Sequence, residues 1–172
     1  LYQRRAVVAA EYCIKTGCPA APARSEANRM ERIAGFNEVY PVAAGDFASA
    51  GEVSGRIKRI MKQLGLPSQI VRRASVATYE VELNLVIHSY GGDIELDISS
   101  SELKITARDT GPGIPDISLA MQEGYSTASE EARSMGFGAG MGLPNMQRNA
   151  SEFDIQSTVG VGTTIKMRFS LE

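Results

Sequence analysis

The stretch from Asp109 to Asn145 constrains the fold and chemistry of this chain more than any other part of the sequence. Near its end, glycine occupies every second position, an arrangement that is poor in a strand and costs about 1 kcal/mol per residue in a helix relative to alanine. Such a run suits a loop whose bare backbone lies against a ligand with its N–H groups exposed. A helical pattern follows at Leu143, so these N–H groups are expected near a helix N-terminus, where anions bind well. The run predicts a nucleotide-phosphate loop, with a flexible surface loop as the alternative, and consists of Gly136, Gly138, Gly140 and Gly142.

The best-known phosphate-binding motifs do not fit this stretch. The P-loop pattern requires a Gly-Lys pair, and no such pair occurs in the chain. In the G-x-G-x-x-G pattern, the third glycine would fall at Leu143 when the motif is read from Gly138 and Gly140. The motifs of eukaryotic-type protein kinases are missing as well. A nucleotide site here must therefore belong to another class.

Composition places the chain among the soluble globular proteins. Its 172 residues suffice for one domain with an ordinary core, and 43% of them are hydrophobic and 22% charged. The formal net charge of −2 argues against nonspecific nucleic-acid binding as the main role. No apolar run approaches the roughly 18 residues of a membrane span, no signal-peptide pattern is present, and two cysteines do not make a disulfide framework. We therefore expect a cytoplasmic protein that binds neither nucleic acid nor a membrane.

Residues 1–38 differ from the remainder and are interpreted as an N-terminal extension of unknown role, followed by one domain over residues 39–172. The extension carries six Lys or Arg against four Glu, and its Pro-rich segment after Cys18 reads as a linker. Cys13 and Cys18 lie in a segment without histidine, so a metal site there would lack ligands.

The domain is predicted to begin with a strand and a helix. After a first strand over Val39–Ala43, Asp46 or Ser49 is expected to cap a helix that runs to about Leu64 and whose apolar residues recur at helical spacing. The other side of this helix is basic, which indicates a solvated face or, alternatively, a docking surface for an acidic partner. Its basic residues are Arg56, Lys58, Arg59 and Lys62.

A second helix is predicted from Ser68, as its N-cap, to about Tyr90. Glu80, Asn84 and His88 are four residues apart and therefore share one face of this helix. Their neighbours are apolar, and a carboxylate and an amide are costly to bury without partners. The stripe indicates a metal or polar-ligand site or, alternatively, an exposed polar face. His88 is expected to pack or to hydrogen-bond rather than to catalyse.

Alternating apolar and polar residues predict the strands. Ile94–Ile98 and Leu103–Ala107 are typical of an antiparallel pair that places Asp109 at a strand end. A helical turn over Ile117–Met121 and a helix over Leu143–Ala150 precede two further strands. Hairpins predominate over βαβ units, so the expected fold is α+β, a two-layer sandwich with a mixed, mostly antiparallel sheet and helices on one face.

Four motifs, in this order, resemble those of the GHKL ATPase superfamily, which includes histidine kinase catalytic domains, gyrase B and MutL. The resemblance covers about residues 39–172 and implies the α/β sandwich of that superfamily with an ATP site. The motifs are an N box with Glu80 and Asn84, a first glycine box at Asp109-x-Gly111-x-Gly113, a second from Gly136 to Gly142, and a closing Gly162-Thr163-Thr164 element.

Within this superfamily the sequence is similar to the anti-sigma-factor serine kinases, and most similar to the stressosome switch kinases. Histidine kinases usually carry Asn at the position of Glu80, and Gly124-Tyr-Ser-Thr before the second glycine box is typical of the switch kinases. The resemblance implies a serine/threonine kinase that uses ATP and Mg²⁺ to phosphorylate a small partner of the STAS (anti-sigma antagonist) type in bacterial signalling. A sigma factor or a downstream phosphatase is implied as a further partner.

The resemblance also implies a role for each matched residue. Glu80 is the expected general base for the incoming hydroxyl, and Asn84 is the expected Mg²⁺ ligand through its amide oxygen. Asp109 is expected to accept a hydrogen bond from the adenine amino group, with Thr163 or Thr164 completing the contact. A lid over residues 125–136 is expected to close over the phosphates. The remaining residues are expected along the purine (Gly111, Gly113), along the phosphates (Gly138, Gly140, Gly142), at the end of this lid (Gly136) and, from the lid, at the γ-phosphate (Arg133).

Other functions stay open on the sequence alone. A nucleotide-gated module could sequester a sigma factor without transferring phosphate, and a stand-alone histidine kinase-like ATPase domain would share the same motifs. Asp109-Thr-Gly also matches the aspartic protease signature, but those enzymes need two facing aspartates, available here only in a dimer. The sequence identifies neither the substrate protein nor the pathway, and it leaves a homodimer open.

Overall fold

Segments in which every second residue is apolar form one sheet in the computed structural model, which describes residues 35–171. The sheet order is β1-β2-β3-β5-β4, and every neighbouring pair is antiparallel. The α+β fold is thus confirmed, whereas the sheet is not mixed in the described part of the chain. The strands are β1 (Phe36–Val42), β2 (Gly92–Ile98), β3 (Glu102–Asp109), β4 (Glu152–Thr158) and β5 (Gly162–Ser170).

The core lies on one face of this sheet. Inward side chains such as Leu96 on β2, Ile105 on β3 and Phe169 on β5 are fully buried. They join one apolar cluster with residues of the longer helices, so these helices cover the same face. The opposite face carries mainly charged and polar residues, as expected for an antiparallel sheet with one side in water.

Helix α2 packs against both α1 and α5. The predicted helical turn and the helix after the glycine run are confirmed, and α4 is an additional short helix within the lid. The Ser129 hydroxyl caps α4 by accepting a hydrogen bond from the Ala132 N–H at 3.2 Å. The helices are α1 (Glu52–Gln63), α2 (Ser68–His88), α3 (Ile117–Ala120), α4 (Glu130–Ser134) and α5 (Gly142–Asn149).

Both predicted caps of the longer helices are wrong. The N-cap of α1 is Gly51, and its free N–H groups are bound by the carboxylate of Glu82, which comes from α2. Asp46 instead accepts a hydrogen bond from the Ser49 N–H, within the preceding turn. Ser68 is the first residue of α2 rather than its cap. For α1 the local sequence offers polar caps, but a carboxylate from α2 binds the free N–H groups instead.

The first strand begins earlier than expected. β1 starts at Phe36 instead of Val39 and pairs with β2 over its whole length, so its first three residues lie in the stretch assigned to the N-terminal extension. Residues 1–34, with Cys13 and Cys18, lie outside the described residues. Over residues 35–171, no helix combines the length and the apolar character that crossing a membrane requires.

Candidate functional site

A cavity of about 880 Å³ opens beside α2, at the end of the sheet where β3 finishes. One wall is the polar stripe of α2, and the floor includes Asp109 and Thr163 from β3 and β5. The loop after β3 and the lid, residues 124–141, close the other sides. The glycines of the second box line the cavity with the start of α5. The structure thereby brings together residues that lie up to about 80 positions apart in the sequence.

Glu80 and Asn84 meet the start of α5 at Gly142. A Cβ atom built on Gly142 would lie 3.3 Å from Asn84 Oδ1 and 3.5 Å from Glu80 Oε2. The separation from Asn84 is tighter than most real Cβ contacts and that from Glu80 is ordinary van der Waals contact, so glycine lets the first turn of α5 approach the Asn84 amide closely. The N-cap, Met141, makes no side-chain cap hydrogen bond. The Glu80 carboxylate, the Asn84 amide and the N-terminus of α5 therefore lie close together in the wall of the cavity.

Asn145, on the first turns of α5, is a site residue that the sequence analysis missed. Its Nδ2 donates a hydrogen bond of 2.7 Å to Glu80 Oε1. This bond engages one carboxylate oxygen and leaves Oε2 on the side of Gly142. The only signal in the sequence was the polar Asn145 inside an otherwise apolar Leu-Pro-Asn-Met turn.

Asp109 ends β3 beneath the far end of the cavity. Its Oδ1 accepts a hydrogen bond of 3.2 Å from the Thr163 N–H. Burial raises the pKa of the Asp109 carboxyl above its usual value, and the Thr163 N–H partly offsets that rise. No other hydrogen bond to this carboxyl occurs within residues 35–171, so it keeps acceptor capacity for a ligand. Gly111 is buried directly against it, and Gly113 lines the cavity.

Thr163 and Thr164 point to opposite faces of β5, because side chains alternate along a strand. Thr163 is buried and lines the cavity, whereas Thr164 is absent from its lining. The Thr163 hydroxyl lies 2.9 Å from the Ser157 hydroxyl, which also accepts a hydrogen bond of 2.8 Å from the Ile114 N–H. The geometry therefore favours Thr163 over Thr164 as the partner of Asp109.

The glycine run packs against other residues of the lid as well as lining the cavity. Gly138 and Gly140 have φ values of 75° and 72°, in the left-handed region that other residues avoid. A Cβ on Gly138 would overlap Ala128, and one on Gly140 would overlap the backbone of Gly124. These two glycines are thus required for the shape of the loop, in addition to any contact with a ligand.

Aromatic stacking fastens the lid to the body of the domain. The rings of Phe137 and Phe47 stack with centroids 5.9 Å apart and planes 18° apart. Arg133, on α4, donates a hydrogen bond of 3.0 Å to the Ser126 carbonyl and is not among the residues that line the cavity. In this arrangement one N–H group of its guanidinium is bound within the lid.

His88, at the end of α2, lines the cavity. Burial alone lowers the pKa of its imidazole below the usual 6.5. The ring is therefore neutral at neutral pH. This supports the expectation that His88 packs against the site and does not carry charge into it.

The donor set suits a hard cation only if a ligand completes it. Residues 35–171 contain no cluster of three or more His, Cys, Asp or Glu side chains that could hold a metal ion. Asn84 makes no side-chain hydrogen bond to another described residue, and its amide oxygen lies beside Gly142. An amide oxygen combined with phosphate and water oxygens is the kind of shell that Mg²⁺ prefers.

Comparisons with known proteins agree with this geometry. A sequence profile described as "Histidine kinase-, DNA gyrase B-, and HSP90-like ATPase" matches residues 70–172. The chain is 34% identical over 113 residues to the serine/threonine-protein kinase RsbT of Bacillus subtilis, a match that covers 63% of this chain and 79% of that protein. It is 38% identical over 96 residues to the anti-sigma F factor of Thermoanaerobacter sp. (strain X514), covering 53% of this chain and 64% of that protein.

Among solved structures, one similar chain comes from the crystal structure of the SiaB-SiaC complex from Pseudomonas aeruginosa. It has a TM-score of 0.47 and 9% identity, with 88% of this chain and 99% of that chain covered. The sequence profile spans the N box, both glycine boxes and the closing Gly-Thr element, the same segments that surround the cavity. The chain belongs to the family of histidine kinase-, DNA gyrase B- and HSP90-like ATPases.

Proposed function

We propose that this chain is an ATP-dependent serine/threonine kinase that regulates a small partner protein. The observation that carries the proposal is the position of Glu80: its Oε2 faces the start of α5 beside Asn84, while Asn145 holds its Oε1. A carboxylate in this position is able to accept a proton from a hydroxyl that enters next to the phosphates. The two relatives described above, a named serine/threonine kinase and an anti-sigma factor, support a regulatory role.

Nucleotide recognition would be divided between the two ends of the cavity. A carboxylate only accepts hydrogen bonds, so Asp109 is suited to the exocyclic amino group of adenine, with Thr163 beside it. At the other end, the uncapped N–H groups at the start of α5 are suited to phosphate oxygens. Arg133 takes no part in this scheme because its guanidinium is bonded within the lid.

The reaction needs little covalent work from the protein. Glu80 accepts the proton of a serine or threonine hydroxyl, and that oxygen forms a bond to the γ-phosphorus as the bond to the β–γ bridging oxygen breaks and ADP leaves. Asn84 would hold Mg²⁺, which neutralises charge on the phosphates when it is bound. The rest of the rate enhancement would come from the positioning of the reacting groups by α2 and the start of α5.

The proposed substrate is a STAS-type protein, with a sigma factor or a phosphatase as a further partner, acting in the cytoplasm. One relative is named a kinase and several are named anti-sigma F factors. The anti-sigma names favour a second candidate function, in which the chain binds nucleotide and sequesters a sigma factor without transferring phosphate. The chain spans slightly less than two thirds of the first of these anti-sigma factors.

Two variants and two assays separate these functions. ATP is titrated calorimetrically into wild type, Glu80→Gln and Asn84→Ala, with Mg²⁺ and then with EDTA, and transfer of labelled phosphate to a panel of STAS domains is followed. We expect Glu80→Gln to keep its ATP affinity and to lose about 10²–10⁴-fold in transfer rate. Asn84→Ala should lose Mg²⁺-dependent binding. Full activity of Glu80→Gln would remove Glu80 as the base, and ATP binding without transfer in wild type would favour the second function.

A further inference from the structure

A second cavity lies outside the ATP site, in the groove between α1 and α2. It has a volume of about 610 Å³, and its floor includes the buried side chains of Leu66 and Val71. Val76 and Tyr79 also line it and are 38% and 40% exposed, high values for large apolar residues. None of the nucleotide-binding residues proposed above lies in this groove.

The groove has a basic rim. Lys58 and Lys62 contribute from α1 and Arg72 from α2, and no carboxylate lines the cavity. Within residues 35–171 none of these three side chains forms an ion pair. Their neighbour Arg56, by contrast, is paired with Glu38 and does not line the groove. The rim therefore offers unneutralised positive charge around an apolar floor, which complements an acidic, partly apolar ligand.

Gly55 adds an observation that does not depend on charge. It lies in the interior of α1, where glycine is less favourable than alanine, and it lines the groove. A Cβ atom built on Gly55 would meet no atom within 4 Å. Packing within the described structure therefore does not require glycine here. A ligand that enters the groove closely enough to need the space would account for it.

The groove adjoins the proposed ATP site at Tyr79. This residue lines both cavities and directly precedes Glu80 in α2. A chain that lies in the groove and passes the Tyr79 ring would therefore arrive at the mouth of the ATP cavity, on the side where Glu80 stands. A docking site for a protein substrate has to lie next to the catalytic cavity in this way, so that the bound chain is able to reach Glu80.

We propose that the groove between α1 and α2 binds an acidic, partly apolar segment of the protein substrate and so brings its hydroxyl to Glu80. This inference rests on the proposed kinase function, because it gives the docked segment its purpose. The occupant is a separate protein rather than residues 1–34 of this chain, since those residues carry six basic and three acidic side chains and do not complement a basic rim.

The test uses a fluorescein-labelled peptide of alternating Glu and Leu and its Lys-for-Glu counterpart, with anisotropy measured against the full chain at physiological salt. We expect the acidic peptide to bind and the basic one not to bind. The double variant Lys58→Glu, Lys62→Glu should weaken binding by about ten-fold or more, because attraction at two rim positions becomes repulsion. Gly55→Leu should weaken it similarly by filling the groove.

Arg59→Glu is the matched control, because Arg59 is exposed on the same helix but does not line the groove. It should stay within about two-fold of wild type, because it reverses a single charge that does not line the groove, whereas the double variant reverses two charges that do. Equal binding of the two peptides, no binding of the acidic one, or an equal loss with Arg59→Glu would overturn the proposal. The proposal would also be overturned if the charge reversal at Lys58 and Lys62 changed the oligomeric state of the protein and left the peptide affinity unchanged. A second copy of the chain would then be the occupant of the groove.

ATP titration of the same variants separates this proposal from the kinase function. Groove variants that lose the peptide and keep the ATP affinity of wild type support docking at a separate site. If wild type failed to bind ATP, the kinase proposal would fall, whereas the peptide results would still decide whether the groove is a docking site. Urea unfolding midpoints of each variant, compared with that of Arg59→Glu, identify any variant that is merely unfolded.

Discussion

The hydrogen bond from Asn145 Nδ2 to Glu80 Oε1 determines how the proposed base is presented. Glu80 is half-buried in the cavity wall and has several rotatable bonds, so its carboxylate needs an external contact to stay in one orientation. Asn145 provides that contact from α5, the helix whose first turn would also hold the phosphates. The proposed base and the proposed phosphate site are therefore connected by one side-chain amide, that of Asn145.

We therefore expect Asn145→Ala to act on the rate rather than on nucleotide affinity. The variant should bind ATP within about three-fold of wild type and lose about 10–100-fold in phosphoryl transfer, because misplacement of a catalytic group by even 1 Å is costly. The measurement is single-turnover transfer beside calorimetric ATP binding.

Gln147→Ala is the control for Asn145→Ala, since Gln147 is exposed on the same helix and touches neither Glu80 nor the cavity. It should leave both quantities unchanged. If Asn145→Ala transferred phosphate at the wild-type rate, the hydrogen bond would be a packing feature only. If it lost ATP affinity as severely as transfer, Asn145 would support the nucleotide site as a whole and not the base.

At the residue scale, spacing along the chain predicted where Glu80, Asn84 and Asp109 lie, and the family resemblance implied Thr163 beside Asp109, but neither indicated Asn145 as the partner of Glu80. Helical periodicity places Glu80 and Asn84 on one face, and strand alternation places Asp109 at a strand end. Asn145 lies 65 positions from Glu80, and no periodicity connects them. Contacts of this kind arise only when the helices pack.

Helix α1 begins with a cap that another helix provides. Glu82 is only 1% exposed, and its two carboxylate oxygens accept hydrogen bonds of 2.9–3.0 Å from the N–H groups of Gly51, Val53 and Ser54. Free N–H groups at a helix start carry partial positive charge, so a carboxylate stabilises them well. The bond also fixes how α1 sits on α2 and hence the shape of the groove between them.

We predict that Glu82→Ala lowers the free energy of unfolding by about 3 kcal/mol, because it leaves buried N–H groups without acceptors. Glu82→Gln keeps one acceptor oxygen and should cost less. Urea unfolding of both variants, followed by circular dichroism, measures the difference. Equal stability of Glu82→Ala and wild type would show that water or another side chain replaces the carboxylate without loss.

At the element scale, patterns predicted where helices and strands lie but not how they end. Asp46 and Ser49 are good caps by residue type, yet the chain turns at Gly51, and a residue about 30 positions away caps the helix. The lid shows the same limit. Its glycines were read as ligand-facing backbone, while Gly138 and Gly140 also serve contacts within the lid.

Across the whole described molecule, the cavity beside α2 joins segments whose contacts the periodicity of the sequence did not predict. The β2–β3 hairpin was predicted, but the pairing of β3 with β5 brings Asp109 to Thr163 across 54 positions. The lid adds a further link through Phe137 and Phe47. A ligand in this cavity contacts α2, the sheet, the lid and α5 together, so its binding free energy adds to the stability of the domain.

The last prediction follows from this coupling. At an ATP concentration of about 100 times the dissociation constant, binding adds about 2.7 kcal/mol to the free energy of unfolding, which for a chain of this size raises the unfolding midpoint by about 5–10 °C. GTP at the same concentration should have little effect, because guanine presents an acceptor where adenine presents its amino group to Asp109. Asp109→Ala should abolish the shift relative to its own nucleotide-free midpoint.

Differential scanning fluorimetry of wild type and Asp109→Ala, each without nucleotide, with ATP and with GTP, measures all six midpoints under one condition. Equal shifts with ATP and GTP would mean that the phosphates alone provide the affinity and that Asp109 does not read the base. A shift that survives in Asp109→Ala would move base recognition to another residue of the cavity. An ATP-specific shift that depends on Asp109 would connect the half-buried carboxyl at the end of β3 with the stability of the domain as a whole.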